Sequence, residues 1–234
     1  MSKEKSYKVS FKTYQNDRLN KVNFQGKEIY PLYIQISFDR KTIYFKSYYF
    51  DLLAKPQYVI RHFTGNKVPS ISEVIAKEEK LINYIVDKHT DSFSLDLFKE
   101  WYIRYSRDLL SMMEQGFKDY LYVFFNDEGF NLLGSMVKQI GQYESGIAIL
   151  DGILNAIKPV LAERLLKNAA YYAPSYLPLM TLAKMNSAGF LPTLSVFEWL
   201  NPGIQKSLGI LTKKDFANYN INKVREHVQN LIAK

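Results

Sequence analysis

The sequence IYPLYIQISFDRKTIYFKSYYF, residues 29–50, decides the fold of this chain. Two runs of β-branched and aromatic residues flank Asp39, Arg40 and Lys41, a pattern typical of two strands joined by a tight turn. Because successive side chains of a strand point to opposite faces, the alternation assigns every residue to a face. The apolar face carries Leu32, Ile34, Ile36, Phe38, Ile43 and Phe45, and the aromatic, polar and basic face carries Tyr33, Gln35, Ser37, Tyr44, Lys46 and Tyr48.

A third strand is predicted upstream, over residues 7–14, where YKVSFKTY alternates in the same way. Val9 and Phe11 fall on its apolar face, and Lys8, Ser10 and Lys12 fall on the other. The connecting segment 15–28, QNDRLNKVNFQGKE, is polar and contains Gly26, which favours a mobile basic loop. The sequence therefore predicts three antiparallel strands with one apolar face and one basic face.

The positive charge of the chain is concentrated around these strands. Residues 1–67 contain 13 Lys or Arg and 5 Asp or Glu, whereas residues 68–234 contain 18 of each. The whole formal excess of +8 therefore lies in the first segment. Such asymmetry indicates a polyanionic partner for that segment, and the alternative is that the basic surface only aids solubility.

Helical signals dominate the rest of the chain. Ser70-Ile-Ser-Glu73 has the form of a capping box, and an apolar stripe at helical spacing follows it. The apolar run 117–125 suits a helix or a strand, and its helical flanks favour a helix. Pro159 breaks a helical pattern. A terminal helix is predicted over residues 213–234. The predicted fold class is α+β: a small N-terminal three-stranded antiparallel sheet, residues 1–67, followed by a mainly α-helical domain, residues 68–234.

Several classes of function lack their sequence signatures. The chain has no cysteine, which excludes disulfides and thiolate metal sites. It contains no Gly-rich phosphate-binding motif, no His-Glu-x-x-His zinc motif and no nucleophile elbow. No secretory signal or run of about 18 apolar residues is present. We therefore expect a protein without enzymatic activity, cofactor or metal, not bound to a membrane, in the cytoplasm or in a virion.

The basic face is the predicted binding surface, with double-stranded DNA as the expected partner. Lysine side chains suit phosphate contacts, and glutamine or serine can reach base edges when a β-ribbon enters a major groove. The alternative is an exposed antiparallel face that carries tyrosine, lysine and glutamine for β-propensity alone. The predicted DNA-binding residues are Lys8, Lys12, Arg18, Lys21, Tyr33, Gln35, Arg40, Lys41, Tyr44 and Lys46.

The order of these elements resembles the N-terminal part of tyrosine recombinases from phages and conjugative transposons. The resemblance covers residues 6–50 well and residues 70–110 loosely, where a capped helix and the helix opening SFSLDLFKEWYIRYSRDL follow the strands. In that family a three-stranded arm-DNA-binding domain precedes a helical core-binding domain. The resemblance implies that Lys8, Lys12, Tyr33, Gln35, Tyr44 and Lys46 form a DNA-reading surface.

The chain departs from that family in its catalytic residues. The family uses a His-x-x-Arg box, and none of the three histidines here, His62, His89 and His227, is followed by arginine at that spacing. The resemblance therefore does not extend to recombinase activity. The predicted function is a non-catalytic DNA-binding protein of a phage or mobile element. The alternative is a structural or assembly protein whose helical half forms an oligomer interface.

Overall fold

A computed structural model describes residues 8–55, 58, 69–187, 192–215 and 219–233. The chain divides into two compact units. The first unit comprises residues 1–55 and 69–106, and the second comprises residues 56–68 and 107–234. The described elements of the first unit are β1 (Ser10–Gln15), β2 (Val22–Phe24), β3 (Lys27–Ile29), β4 (Leu32–Phe38), β5 (Lys41–Lys46), α1 (Tyr48–Leu53), α2 (Ile71–Lys88) and α3 (Leu95–Ser106).

Strands β1, β4 and β5 form an antiparallel sheet in the order β1-β4-β5. The predicted α+β class with a small N-terminal three-stranded sheet is therefore confirmed. The apolar face is covered by helices, as its composition requires. Phe45 packs against Tyr102 of α3 at 4.7 Å between ring centroids, and Phe38 packs against Phe93 at 4.9 Å. The fully buried residues of this face are Leu32, Ile34 and Ile36 of the central strand.

The turn of the central hairpin is shorter than the sequence suggested. Asp39 and Arg40 have φ values of 46° and 61°, the two positive values of a two-residue type I′ turn. Lys41 is already in β5, paired with Phe38. The hairpin also ends sooner than predicted, because the hydroxyl of Ser47 accepts from the Phe50 amide and caps α1. Tyr48 is therefore a helical residue and leaves the basic face.

The segment 15–28 is more ordered than the predicted loop. Strands β2 and β3 form a second, two-stranded sheet within it. Gln25 and Gly26 make its turn with φ values of 56° and 82°. Phe24 is buried and stacks on Phe50 of α1 at 4.8 Å. Strands of three residues are too short to show a periodic pattern, which explains why the sequence did not predict them.

The division between the units also differs from the predicted boundary at residues 67 and 68. Helices α2 and α3 belong with the sheet, because their apolar stripes cover it. The predicted capping box at the start of α2 is confirmed: the Ser70 hydroxyl accepts from the Glu73 amide at 3.2 Å. The Glu73 carboxylate accepts from the Ser70 amide at 2.7 Å.

The second unit is helical in its described part, as predicted, and the segment 117–125 is a helix. Pro159 begins a helix instead of sitting inside one. The predicted terminal helix was wrong at its start: the last helix begins at Ile221 instead of residue 213, and residues up to Asp215 belong to the preceding helix, which begins at Pro202. The described helices are α4 (Leu109–Asp127), α5 (Asn131–Ile140), α6 (Gly146–Leu154), α7 (Pro159–Tyr172), α8 (Tyr176–Asn186), α9 (Val196–Trp199), α10 (Pro202–Asp215) and α11 (Ile221–Ala233).

Two buried carboxylates organise this second unit. Asp108 caps α4 by accepting from the Ser111 amide at 2.7 Å, and it also accepts from the Leu194 amide at 2.7 Å. Glu114 of α4 accepts from the Gly146 amide at the start of α6 and forms an ion pair with Lys118 at 3.2 Å. A buried charge is tolerated when it is paired and hydrogen-bonded in this way.

Candidate nucleic-acid interface

The register of the sheet arranges one face into three cross-strand rows. Lys12 pairs with Gln35, which pairs with Tyr44. Tyr33 lies between Tyr14 and Lys46 in the next row. We call the nine residues of these rows the polar face: Ser10, Lys12, Tyr14, Tyr33, Gln35, Ser37, Thr42, Tyr44 and Lys46.

The two lysines and one tyrosine of the polar face are open to solvent. Lys12 on β1 and Lys46 on β5 are exposed, and 59% of Tyr44 is exposed. Tyr33 and Gln35 on the central strand are half-buried between their neighbours. The face therefore has exposed positive charge on both outer strands and hydrogen-bonding groups between them.

The two lysines are spaced on the scale of a DNA groove. Lys12 and Lys46 lie on the two outer strands, in neighbouring rows. With strands about 4.8 Å apart and about 3.4 Å per residue, their Cα atoms lie about 12 Å apart. This is comparable to the major groove of B-DNA, which is about 12 Å wide. Their flexible side chains can therefore reach phosphates on the two sides of one groove.

Charge is unevenly distributed within the first unit. Residues 8–55, which form the strands and α1, contain nine Lys or Arg and four Asp or Glu. Residues 69–106, which form the covering helices, contain five Lys or Arg and seven Asp or Glu. Since these helices cover the apolar face, the acidic excess lies on the side of the sheet away from the polar face. A polyanion would therefore approach the polar face more favourably than the helices.

The structure separates nine of the ten predicted binding residues into three groups, and Lys41 stands apart from them. Lys12, Tyr33, Gln35, Tyr44 and Lys46 share the polar face. Lys8 and Arg40 lie at the end of the sheet where the β4–β5 turn is, whereas Arg18 and Lys21 lie in the connection that leaves the other end.

Lys41 was placed wrongly by the sequence reading, which took it as part of the turn. Its register partner is Phe38, so its side chain leaves the sheet on the face opposite Lys12. It is exposed, as Lys46 is at the other end of the same strand.

Two members of the polar face were not assigned to that face from the sequence. Tyr14 follows Ser10 and Lys12 in the alternation, and the Lys12 ammonium lies 5.7 Å from the centroid of its ring. Thr42 pairs with Ser37, and their hydroxyl oxygens are 2.8 Å apart. The alternation of β1 was sufficient to find Tyr14, and that of β5 was sufficient to find Thr42, which is two residues before Tyr44.

A buried carboxylate fixes the end of β5 that carries Lys46. Glu78 of α2 accepts from the Ser47 hydroxyl, from the Tyr49 amide at 3.3 Å and from the Tyr102 hydroxyl at 2.9 Å. Burial raises the pKa of Glu78 to about 7, against the effect of these hydrogen bonds, which lower it. The amide of Ser47 also donates to the Leu32 carbonyl at 2.9 Å, so the residue after Lys46 is held from two sides.

Metal sites, membrane spans and a serine nucleophile have little support in the part of the chain that the structure describes. No group of three or more metal-ligating side chains occurs there. None of the helices in these ranges combines the length and the apolar character needed to span a membrane. Ser175 lies 2.9 Å from Nδ1 of His227, but Ser175 is fully buried and no substrate can reach its hydroxyl.

Comparison with protein-family models, curated proteins and solved structures gives no match for this chain. The chemistry of the polar face is therefore what indicates a function.

Proposed function

We propose that the chain binds double-stranded DNA through the polar face and has no catalytic role. The observation that carries this proposal is the placement of Lys12 and Lys46 on opposite outer strands of one exposed face. Tyr33 and Gln35 lie between them. This arrangement suits a sheet that lies along a groove with its lysines directed to the two phosphate backbones.

Different residues of the polar face would contact different parts of the DNA. Lys12 and Lys46 would contact phosphates and supply most of the affinity, independent of sequence. Gln35 is placed to read a base edge, since its amide matches the donor and acceptor of adenine in the major groove. Lys8, Arg18, Lys21 and Arg40 would add charge at the two ends of the sheet. The site of action would be wherever the DNA is held, in the cytoplasm or in a virion.

The test compares a paired loss of charge on the polar face with a loss on the other face. Binding of the full chain to a labelled duplex is measured by fluorescence anisotropy over a range of salt concentrations. For Lys12→Gln with Lys46→Gln, we expect weaker binding to all duplexes and a slope of log K against log salt that is smaller by about 2. Lys41→Gln is the matched control, because Lys41 is an exposed lysine of β5 on the opposite face.

Three results would contradict the proposal. The first is no binding of the natural chain at low salt. The second is binding that does not depend on salt. The third is an equal effect of Lys41→Gln and of either single replacement on the polar face, which would mean that net charge and not the polar face determines binding.

A second candidate function, in assembly, is favoured by a separate observation in the helical unit. Helix α5 exposes a row of apolar side chains, with 77% of Leu132, 44% of Met136 and 40% of Ile140 open to solvent. Exposed apolar patches of this kind mark interaction sites. An assembly role and DNA binding use different units and are compatible.

A further inference from the structure

The three rows of the polar face offer different chemistry to a bound molecule. The row next to the β4–β5 turn carries short hydroxyl side chains, and the row at the other end carries two tyrosines and Lys46. The row between them, which we call the middle row, consists of Lys12, Gln35 and Tyr44. Gln35 supplies the one carboxamide of the polar face, a planar group with a donor and an acceptor side by side.

The carboxamide of Gln35 is available to a ligand. Gln35 is half-buried on the central strand, between Lys12 and Tyr44. Among the residues that the structure describes, none forms a hydrogen bond with this side chain. Ser37, one row away on the same strand, differs in this respect, because its hydroxyl oxygen lies 2.8 Å from that of Thr42. Gln35 therefore keeps both its donor and its acceptor for a bound molecule.

The two lysines determine how the rows would meet DNA. Lys12 and Lys46 reach the two phosphate backbones of one groove when the strands run along the groove and the rows run across it. Three strands span about 10 Å, which fits within a major groove about 12 Å wide. Successive rows are about 7 Å apart, or about two base-pair steps of 3.4 Å. Each row therefore lies over the edge of a single base pair.

The middle row matches an A·T pair group by group. Across the major groove this pair presents N7 and N6 of adenine, and then O4 and the 5-methyl group of thymine. When Gln35 lies on adenine, its NH2 group donates to N7 and its carbonyl oxygen accepts from the N6 amino group. Tyr44 then lies on the thymine side, where its exposed ring covers the methyl group. Lys12 lies on the adenine side, towards the phosphates of that strand.

A G·C pair matches the same row less well. Guanine presents two acceptors, N7 and O6, so the carbonyl oxygen of Gln35 would face an acceptor and lose its hydrogen bond. Cytosine has no methyl group for Tyr44 to cover. The Lys12 ammonium lies 5.7 Å from the centroid of the Tyr14 ring on the same outer strand, so its charge stays near that strand.

We propose that the middle row reads one A·T base pair in the major groove, with Gln35 on adenine and the ring of Tyr44 on the thymine methyl group. This inference rests on the proposed function and adds a base preference to it. Lys12 and Lys46 supply binding to any duplex, whereas Gln35 and Tyr44 supply the preference.

The experiment measures binding of the full chain to three labelled duplexes of alternating sequence: dA-dT, dA-dU and dI-dC. Inosine lacks the 2-amino group of guanine, so all three present the same pattern in the minor groove and differ in the major groove. The comparison of dA-dU with dI-dC isolates Gln35, because neither duplex has a thymine methyl group. The comparison of dA-dT with dA-dU isolates the methyl group. We expect dA-dU to bind about fivefold or more tightly than dI-dC, and dA-dT about threefold more tightly than dA-dU.

Four variants assign each preference to its residue. Gln35→Ala should bind dA-dU and dI-dC equally. Tyr44→Ala should bind dA-dT and dA-dU equally, whereas Tyr44→Phe should keep the preference for dA-dT because the ring is retained. Ser37→Ala is the control on the central strand and should keep both preferences. Circular dichroism of each variant establishes that the fold is kept.

The outcomes separate this inference from the proposed function. Salt-dependent binding of the natural chain that is equal for dA-dU and dI-dC would overturn the inference and leave the proposed function standing. A preference for dA-dU that Gln35→Ala keeps, or a preference for dA-dT that Tyr44→Ala keeps, would also overturn it. Absence of salt-dependent binding to all three duplexes would overturn the proposed function, and this inference with it.

Discussion

Lys12 and Lys41 show how much the surroundings of a single residue depend on strand register. Both are exposed lysines of the same sheet, yet Lys12 lies in a row with Gln35 and Tyr44 while Lys41 pairs with Phe38. A shift of one residue moves a side chain to the other face. The chemistry of the candidate site is therefore decided by register, and charge counts alone cannot locate it.

Glu78 is the residue whose ionisation should affect the stability of the first unit most directly. Its pKa is about 7 in the folded chain, above the 4.5 of a glutamate exposed to water. Below pH 4.5 the carboxyl is protonated in both states. Between pH 4.5 and 7 the unfolded chain loses a proton that the folded chain keeps, so the free energy of unfolding falls as the pH rises, by ~3 kcal/mol in total.

Replacement of Glu78 by glutamine should remove this dependence on pH. We expect the free energy of unfolding of Glu78→Gln to change by ~3 kcal/mol less than that of the natural chain between pH 4.5 and 7. Urea unfolding followed by the fluorescence of Trp101, with every chain in a Trp199→Phe background, measures it. Glu79→Gln, at the exposed neighbouring residue, should keep the natural dependence. Equal slopes for Glu78→Gln and the natural chain would show that another group is responsible.

At the scale of single elements, the β4–β5 hairpin is held by local geometry at both ends. At the turn, Asp39 and Arg40 adopt positive φ values that glycine or asparagine would adopt more easily. At the other end, Ser47 stops β5 and caps α1. The hairpin can therefore be adjusted at its turn without any change to the polar face.

Arg40→Gly should stabilise the chain, because Arg40 has a φ of 61° and glycine meets no Cβ clash there. We expect a gain of about 1 kcal/mol in the free energy of unfolding, measured by urea titration. Arg18→Gly is a control for the lost charge, since Arg18 lies outside the strands and outside the residues with positive φ. An unchanged or lower stability of Arg40→Gly would mean that the Arg40 side chain makes a compensating contribution.

At the scale of the whole molecule, each of the two units contains its own buried carboxylate network and one tryptophan. Glu78 and Trp101 belong to the first unit, and Asp108 and Trp199 belong to the second. The two tryptophans therefore report on different units. Variants that retain only one of them allow the stability of each unit to be measured within the full chain.

Asp108→Ala should lower the stability of the second unit by roughly 2–4 kcal/mol. The change removes the cap of α4 and leaves the buried Leu194 amide without its acceptor. Unfolding of the second unit is followed by Trp199 fluorescence in a Trp101→Phe background. Asp119→Ala, at an exposed residue of the same helix, should have little effect. An equal shift of the Trp101 signal in a Trp199→Phe background would show that the two units unfold together.

Much of the candidate site could be predicted from the sequence, since alternation in residues 32–38 and 41–46 is a short-range signal. It placed Tyr33, Gln35, Tyr44 and Lys46 on one face, and the structure confirms that assignment. Lys41 was placed in the turn because the turn length was unknown. The turn has two residues, so Lys41 is the first residue of β5 and lies on the apolar face with its partner Phe38. DNA binding itself stays a prediction, and so does the resemblance to recombinases.

The sequence by itself determined the faces of the sheet and the capping box at Ser70, because both depend on residues only a few positions apart. Tertiary structure decided which elements meet. Glu78 joins the end of β5 to α2 and α3 across 24 to 31 residues of chain, and α2 and α3 pack with the sheet instead of with the later helices. The apolar groove lined by residues of α5 and α6 likewise arises from the packing of separate helices. Such contacts depend on the burial of whole apolar faces, which no local pattern specifies.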